Sequence, residues 1–185
     1  METKNIMFTK NVKKQMYHDK KTEKKRVASD NWSFTNEDYL YTNQMKVIKN
    51  IKLNNFHPMD EISKISIQQI NKKIYSYKRQ DIVKKHFNNE KFIHFESIID
   101  KMIECQLKCY YCKCEMNVLY DISREMKQWT VDRINNDLGH NLDNYYLACL
   151  ECNLKRRRRG DDKFLFTKQL NLIKVNENDF DNEEK

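Results

Sequence analysis

Two cysteine pairs frame the part of this chain best equipped for chemistry. "CYYC" places Cys109 and Cys112 around a two-residue turn, and "CLEC" repeats the spacing at Cys149 and Cys152. Each pair can chelate from a tight turn, and together they make a tetrahedral Cys₄ set suited to structural zinc. Cys105 and Cys114 fall outside the paired spacing and are expected in the core, either able to replace a neighbour as ligand. Plain zinc ribbons separate their pairs by about 15–20 residues. Here the separation is longer, and the insert carries polar groups of its own.

The insert reads "TVDRINNDLGHNLDNYYLACLECN". "QWTV", Gln128 to Val131, alternates β-forming residues and should be a strand that delivers Asp132 at its end. The second cysteine pair should open a helix that carries Asn153 in its first turn. If the cysteines pin both segments, the oxygens of Asp132 and Asn153 can converge on one hard cation. Mg²⁺ accepts such a site, taking one or two protein oxygens and a substrate phosphate. Arg156 and Arg157 lie three and four positions after Asn153 on the expected helix and share its face, where they could clamp phosphate. The alternative is that these cations complement the helix C-terminus before Gly160 stops it.

The order CxxC, D, N, CxxCN resembles the HNH endonucleases, whose core is of the ββα-metal type, and is close in layout to the endonuclease VII kind. The resemblance spans Leu107 to Gly160. "WTVDRINNDLGHNLDNYYLACLECNLKRR" is also similar to HNH-type proteins of large DNA viruses. The resemblance implies that Asp132 and Asn153 ligate a catalytic Mg²⁺ or Mn²⁺, and that Asn144 braces the loop by hydrogen bonds. As an unaided reading, Asn144 is a turn former. Arg133 falls where the family carries its histidine base, and an arginine cannot take a proton at neutral pH. Arg133 could grip the scissile phosphate instead. The substitute base is His140, in "NNDLGHN", where Gly139 permits an unusual turn that swings the imidazole towards Asp132. Asp137 is a reserve ligand or base.

The elements that must position these groups are mostly helical. Residues 1–32 are lysine-rich and read as a disordered basic arm; 33–104 form a helical region; 105–172 hold the zinc-stapled core; 173–185 are an acidic tail. "TNED" offers an N-cap at Thr35 with an acid three residues on, and Tyr39, Met45, Val47, Ile48 and Ile51 supply an apolar side. Ile67, Ile70 and Ile74 repeat at helical spacing among Lys72, Lys73, Lys78, Arg79, Lys84 and Lys85 with Tyr75 and Tyr77. That pattern suits either a nucleic-acid face or a surface helix with buried aromatics. "HFESIIDKMIECQLK" is the clearest amphipathic helix, with a stripe of Phe95, Ile98, Ile99, Met102 and Ile103. The fold class is α+β.

The 185 residues carry a formal net charge of +8 with 34% charged and 39% hydrophobic residues, a balance that favours a polyanionic partner. Mean hydropathy is −0.95, and neither a membrane span nor a secretory signal is legible. The reading is an intracellular protein, cytoplasmic or nuclear, with reduced thiols. The expected function is a divalent-metal-dependent DNA endonuclease acting on duplex or branched DNA, with RNA less favoured. The alternatives are a non-catalytic zinc module that binds DNA with a degenerate nuclease core, and a zinc-stapled interaction domain.

Overall fold

The computed structural model describes residues 24–54 and 60–170. The acidic tail, the arm before Lys24, His18 and His57 lie outside them. Short 3-10 turns at Val27–Ser29 and Asn36–Tyr39 lead into α1 (Tyr41–Lys52), α2 (Glu61–Val83) and α3 (Phe95–Glu104). A hairpin of β1 (Trp129–Arg133) and β2 (Tyr145–Cys149) runs straight into α4 (Leu150–Arg156), and α5 (Asp161–Gln169) follows. The class is α+β.

Local signals explain most of the starts. Thr35 and Asp38 form a reciprocal capping box before the 3-10 turn. Asp60 caps α2 by accepting the Ser63 amide at 2.6 Å. α1 buries Met45, Ile48 and Ile51, and α3 buries Ile98, Ile99 and Met102, both at helical spacing. These side chains join Ile70, Trp129, Val131, Leu147 and Phe164 in one hydrophobic cluster. The helical region and the cysteine segment therefore share a core, so neither buries its apolar face without the other. Gln44, buried on α1, stitches the two: its Oε1 accepts the Val118 and Leu119 amides at 2.7 and 2.9 Å.

The hairpin is antiparallel, with Trp129 opposite Cys149 and Arg133 opposite Tyr145. Strand alternation gives it two faces. Trp129, Val131 and Tyr145 face α2 and α3, where the Tyr145 hydroxyl donates to the Ser97 carbonyl at 3.1 Å. Thr130 and Asp132 face α4, whose Asn153 donates its amide Nδ2 to Thr130 Oγ1 at 3.0 Å.

Two expectations need correction. The basic arm does not run to residue 32 as disordered chain. The Arg26 amide donates to the Asp121 carbonyl at 2.7 Å, and its guanidinium reaches the Tyr120 carbonyl and Gln69. Nor does α4 run through the arginines to Gly160. It ends at Arg156 because Arg157 adopts φ 55°, ψ −117°, and Gly160 is the N-cap of α5 instead. A positive φ on a side chain as large as arginine is strained, which ends the helical path there.

Candidate metal centre and histidine site

The two cysteine turns meet. Tyr110 donates its amide to the Leu147 carbonyl at 2.9 Å, so the first turn is hung on β2. Lys113, at φ 58°, closes that turn by donating to the Cys109 carbonyl at 3.0 Å. The second turn is built by α4 itself: Cys149 is the N-cap, and its Sγ accepts the Cys152 amide at 3.4 Å. The ligand atoms of Cys109, Cys112, Cys149 and Cys152 all lie within 4.8 Å of one another. Zn–S bonds of about 2.3 Å in a tetrahedron imply sulfur separations of about 3.8 Å, and Cys112 and Cys149 stand 3.8 Å apart. The four sulfurs could thus hold a metal ion such as zinc.

Their electrostatics point the same way. Cys109 is drawn well below the usual thiol range by hydrogen bonds from Cys149 and Cys152, while Cys149 is pushed up to about 11, first by its bond to Cys109. Four sulfurs this close cannot all ionise without a cation among them. Cys105 and Cys114 stay outside the set and are partly buried against the core.

Asp132 is buried at the end of β1, and its carboxylate is already engaged. Tyr111 donates its hydroxyl to Oδ2 at 2.7 Å, and Arg156 closes on it with Nε 2.7 Å from Oδ2 and Nη2 3.2 Å from Oδ1. Burial pushes the Asp132 carboxyl above the usual aspartate range, and Tyr111 and Arg156 pull it part of the way back. Asn153 sits one turn into α4 and spends its amide nitrogen on Thr130 Oγ1 and the Val131 carbonyl, at 3.0 and 3.3 Å. Among the described residues, the four cysteines form the one cluster of Cys, His, Asp or Glu close enough to share an ion. Asp132 is already paired with a buried guanidinium, so a second divalent cation could bind there only by displacing Arg156.

Arg156 corrects its assignment as a phosphate clamp. It is 0% exposed and bonds inward to Asp132 and to the Arg133 and Arg159 carbonyls. Helical spacing did put it on Asn153's side of α4, but that side faces the hairpin. Arg157 is exposed beyond the helix end. Arg133 is half-buried and donates Nη1 to the Leu138 carbonyl at 2.9 Å, holding the loop after β1.

The same loop is braced from within by Asn144. Its Nδ2 donates to the Asn135 and Gly139 carbonyls at 3.0 Å each, and its Oδ1 accepts the Asn135 amide at 2.8 Å. Asp137 is exposed and pairs with Arg158 at 3.1 Å. His140 is buried, 4% exposed, and the Nδ1 side of its imidazole turns to α2. There its Nδ1 lies 2.7 Å from Asp81 Oδ1, and its ring stacks on Tyr77 with centroids 4.7 Å apart. Burial pulls the imidazole below the usual histidine range, the Asp81 charge opposes this, and the Arg133 and Lys84 cations add to it.

Gly139 is needed for another reason than the one expected. Its φ is not positive. A Cβ there would lie 2.5 Å from the His86 carbonyl oxygen and 2.9 Å from Asp81 Oδ2, so only glycine lets the loop close on α2. Asp81, Tyr77 and Tyr111 were absent from the sequence-derived site. Asp81 and Tyr77, four residues apart on α2, share a helical face, a weak local hint that nothing tied to His140.

No family model matches the chain, and neither the curated proteins nor the solved structures contain a match.

Proposed function

We propose that this chain is a DNA endonuclease of the HNH type, hydrolysing phosphodiester bonds with His140 as the general base. The observation that supports it best is the state of His140. It is buried and fixed within the field of Arg133 in a loop braced by Asn144, while its Nε2 has no hydrogen-bond partner among the described residues. An imidazole held on one nitrogen and free on the other can take a proton from water at neutral pH. On this reading zinc fills the cysteine set and holds the ends of the hairpin. Arg133, whose field reaches the imidazole, and exposed Arg157 offer guanidinium N–H groups to phosphate. In attack on a phosphodiester, water would add to phosphorus as its proton passes to His140 Nε2, and the leaving oxygen departs with a proton from solvent. The Mg²⁺ or Mn²⁺ of the family pattern would have to displace Arg156 to reach the Asp132 carboxylate. The N-terminal helices would supply DNA contact.

A second reading, a non-catalytic zinc module that binds DNA, is favoured by one observation. The carboxylate expected to hold the catalytic ion is closed by Arg156 and Tyr111. Plasmid nicking by zinc-loaded protein, with and without added Mg²⁺ or Mn²⁺, separates the two. Nicking by the wild type that falls about 10²–10⁴-fold in His140→Ala supports the nuclease. Gel-shift binding without nicking by the wild type supports the binding module.

A further inference from the structure

We infer that Asp81, on the last turn of α2, is the positioning residue for His140: it fixes the imidazole tautomer so that Nε2 carries the lone pair. This rests on the nuclease reading for its purpose, but the contact itself does not.

Both oxygens of Asp81 go to one residue. Oδ1 faces His140 Nδ1 at 2.7 Å, and Oδ2 accepts the His140 main-chain amide at 2.7 Å. Asp81 is 0% exposed, so this pair is shielded from water. A carboxylate only accepts hydrogen bonds, so the proton between Oδ1 and the ring sits on Nδ1. That leaves Nε2 as the basic nitrogen, and which nitrogen is basic is set by the bond the other makes.

The rest of the setting holds that bond in place. Tyr77, one turn before Asp81, covers a face of the imidazole and accepts the Val131 amide at 3.1 Å on its hydroxyl, so the same helical face grips β1. Ile93 donates its amide to the His140 carbonyl at 3.0 Å. The imidazole is thereby constrained through its backbone amide, its carbonyl, its Nδ1 and its ring face, and Nε2 alone is unengaged among the described residues. The charged groups whose field reaches the ring are Asp81 on α2, Lys84 at its C-cap and Arg133 on β1.

A loop anchor would need only the main-chain bond to Oδ2. The second bond, to the ring, is the one that selects a tautomer. Where a buried carboxylate orients a histidine base, exchanging it for the amide keeps the geometry yet inverts the tautomer, and in the serine-protease triad this costs about 10⁴ in rate.

The test combines nitrogen NMR of the His140 ring with plasmid nicking, in the full chain and in Asp81→Asn. The wild type should show the Nδ1–H tautomer at pH 7. In Asp81→Asn the amide NH₂ faces the ring, so Nε2–H should take over and nicking should fall about 10²–10⁴-fold, with the acidic limb of its pH profile moved lower. A wild-type ring protonated on Nε2 overturns the inference, whether or not the variant folds. So does a variant that keeps the wild-type tautomer. A tautomer that inverts while nicking changes less than about threefold removes the positioning role. If the tautomer inverts as expected but the wild type nicks no DNA, Asp81's hold on the imidazole stands and the nuclease reading falls.

Discussion

The two faces of the hairpin each bury an aspartate, and the two are spent differently. On the α4 face, Asp132 meets a guanidinium and a phenol hydroxyl, and Arg156 is itself 0% exposed. On the α2 face, Asp81 meets an imidazole and the main-chain amide of the same residue. Arginine keeps its charge at any working pH, so the first pair has nothing left to exchange and serves to fix α4 on the hairpin. Histidine has a second nitrogen, so the second pair leaves one atom able to take and give a proton. A buried carboxylate is structural or chemical according to what its partner has left over.

The largest effect should come from breaking both faces together. The first cysteine turn hangs on β2 through Tyr110, and the second starts at Cys149, the last residue of β2 and the partner of Trp129, so removing a zinc held there should release the hairpin from both turns. Structural zinc contributes about 10–16 kcal/mol in small zinc fingers. Strong chelation, or Cys149→Ser, should therefore abolish the cooperative thermal transition followed by circular dichroism. An unchanged transition, or reduced protein without zinc by elemental analysis, would remove the metal from the account.

Breaking the α4 face alone should cost less. Arg156→Ala leaves Asp132 buried without its cation and should lose about 3–5 kcal/mol in urea unfolding. Exchanging both partners, Asp132→Asn with Arg156→Met, should recover much of that loss, since well-packed neutral replacements avoid desolvating charge. A double variant no better than Arg156→Ala alone would mean that Asp132 has a role beyond the pair. The same contact affects any test of catalysis at Asp132. Removing its carboxylate strands Arg156, so lost activity in Asp132→Ala must be separated from lost fold.

The smallest effect distinguishes the faces by pH. The folded protein holds His140 below the usual 6.5, chiefly through burial. Its contribution is present above the unfolded value and is lost as pH falls through the folded value, so melting temperature should drop with acid in that window. Asp132 is raised, again chiefly by burial. Its contribution is present below the unfolded aspartate value and is lost as pH rises through the folded one, the opposite slope. Melts between about pH 4 and 7 should show the near-neutral drop shrink in His140→Gln and persist in Asp132→Asn. A near-neutral drop that survives His140→Gln would assign it to another group.

Parts of the site were legible because the physics is local. Turn-sized spacing brought each cysteine pair together, "QWTV" alternates as a strand must, and the stripe of Ile98, Ile99 and Met102 repeats at helical spacing. The Arg156 assignment failed because spacing gives a residue's side of a helix but not what covers that side. The arginine run was read as continuous helix because nothing in four identical residues marks the one that adopts a positive φ.

By itself, then, the sequence determined a Cys₄ set, a strand carrying Asp132, a helix opening on the second cysteine pair, and a strongly basic chain. Those follow from neighbours within one or two turns. Only the tertiary structure decided the partners: Asp132 with Arg156 and Tyr111, and His140 with Asp81 across a sequence separation of 59. Contacts at that distance depend on how α2 and α4 pack on opposite faces of a hairpin, and packing is a property of the whole core.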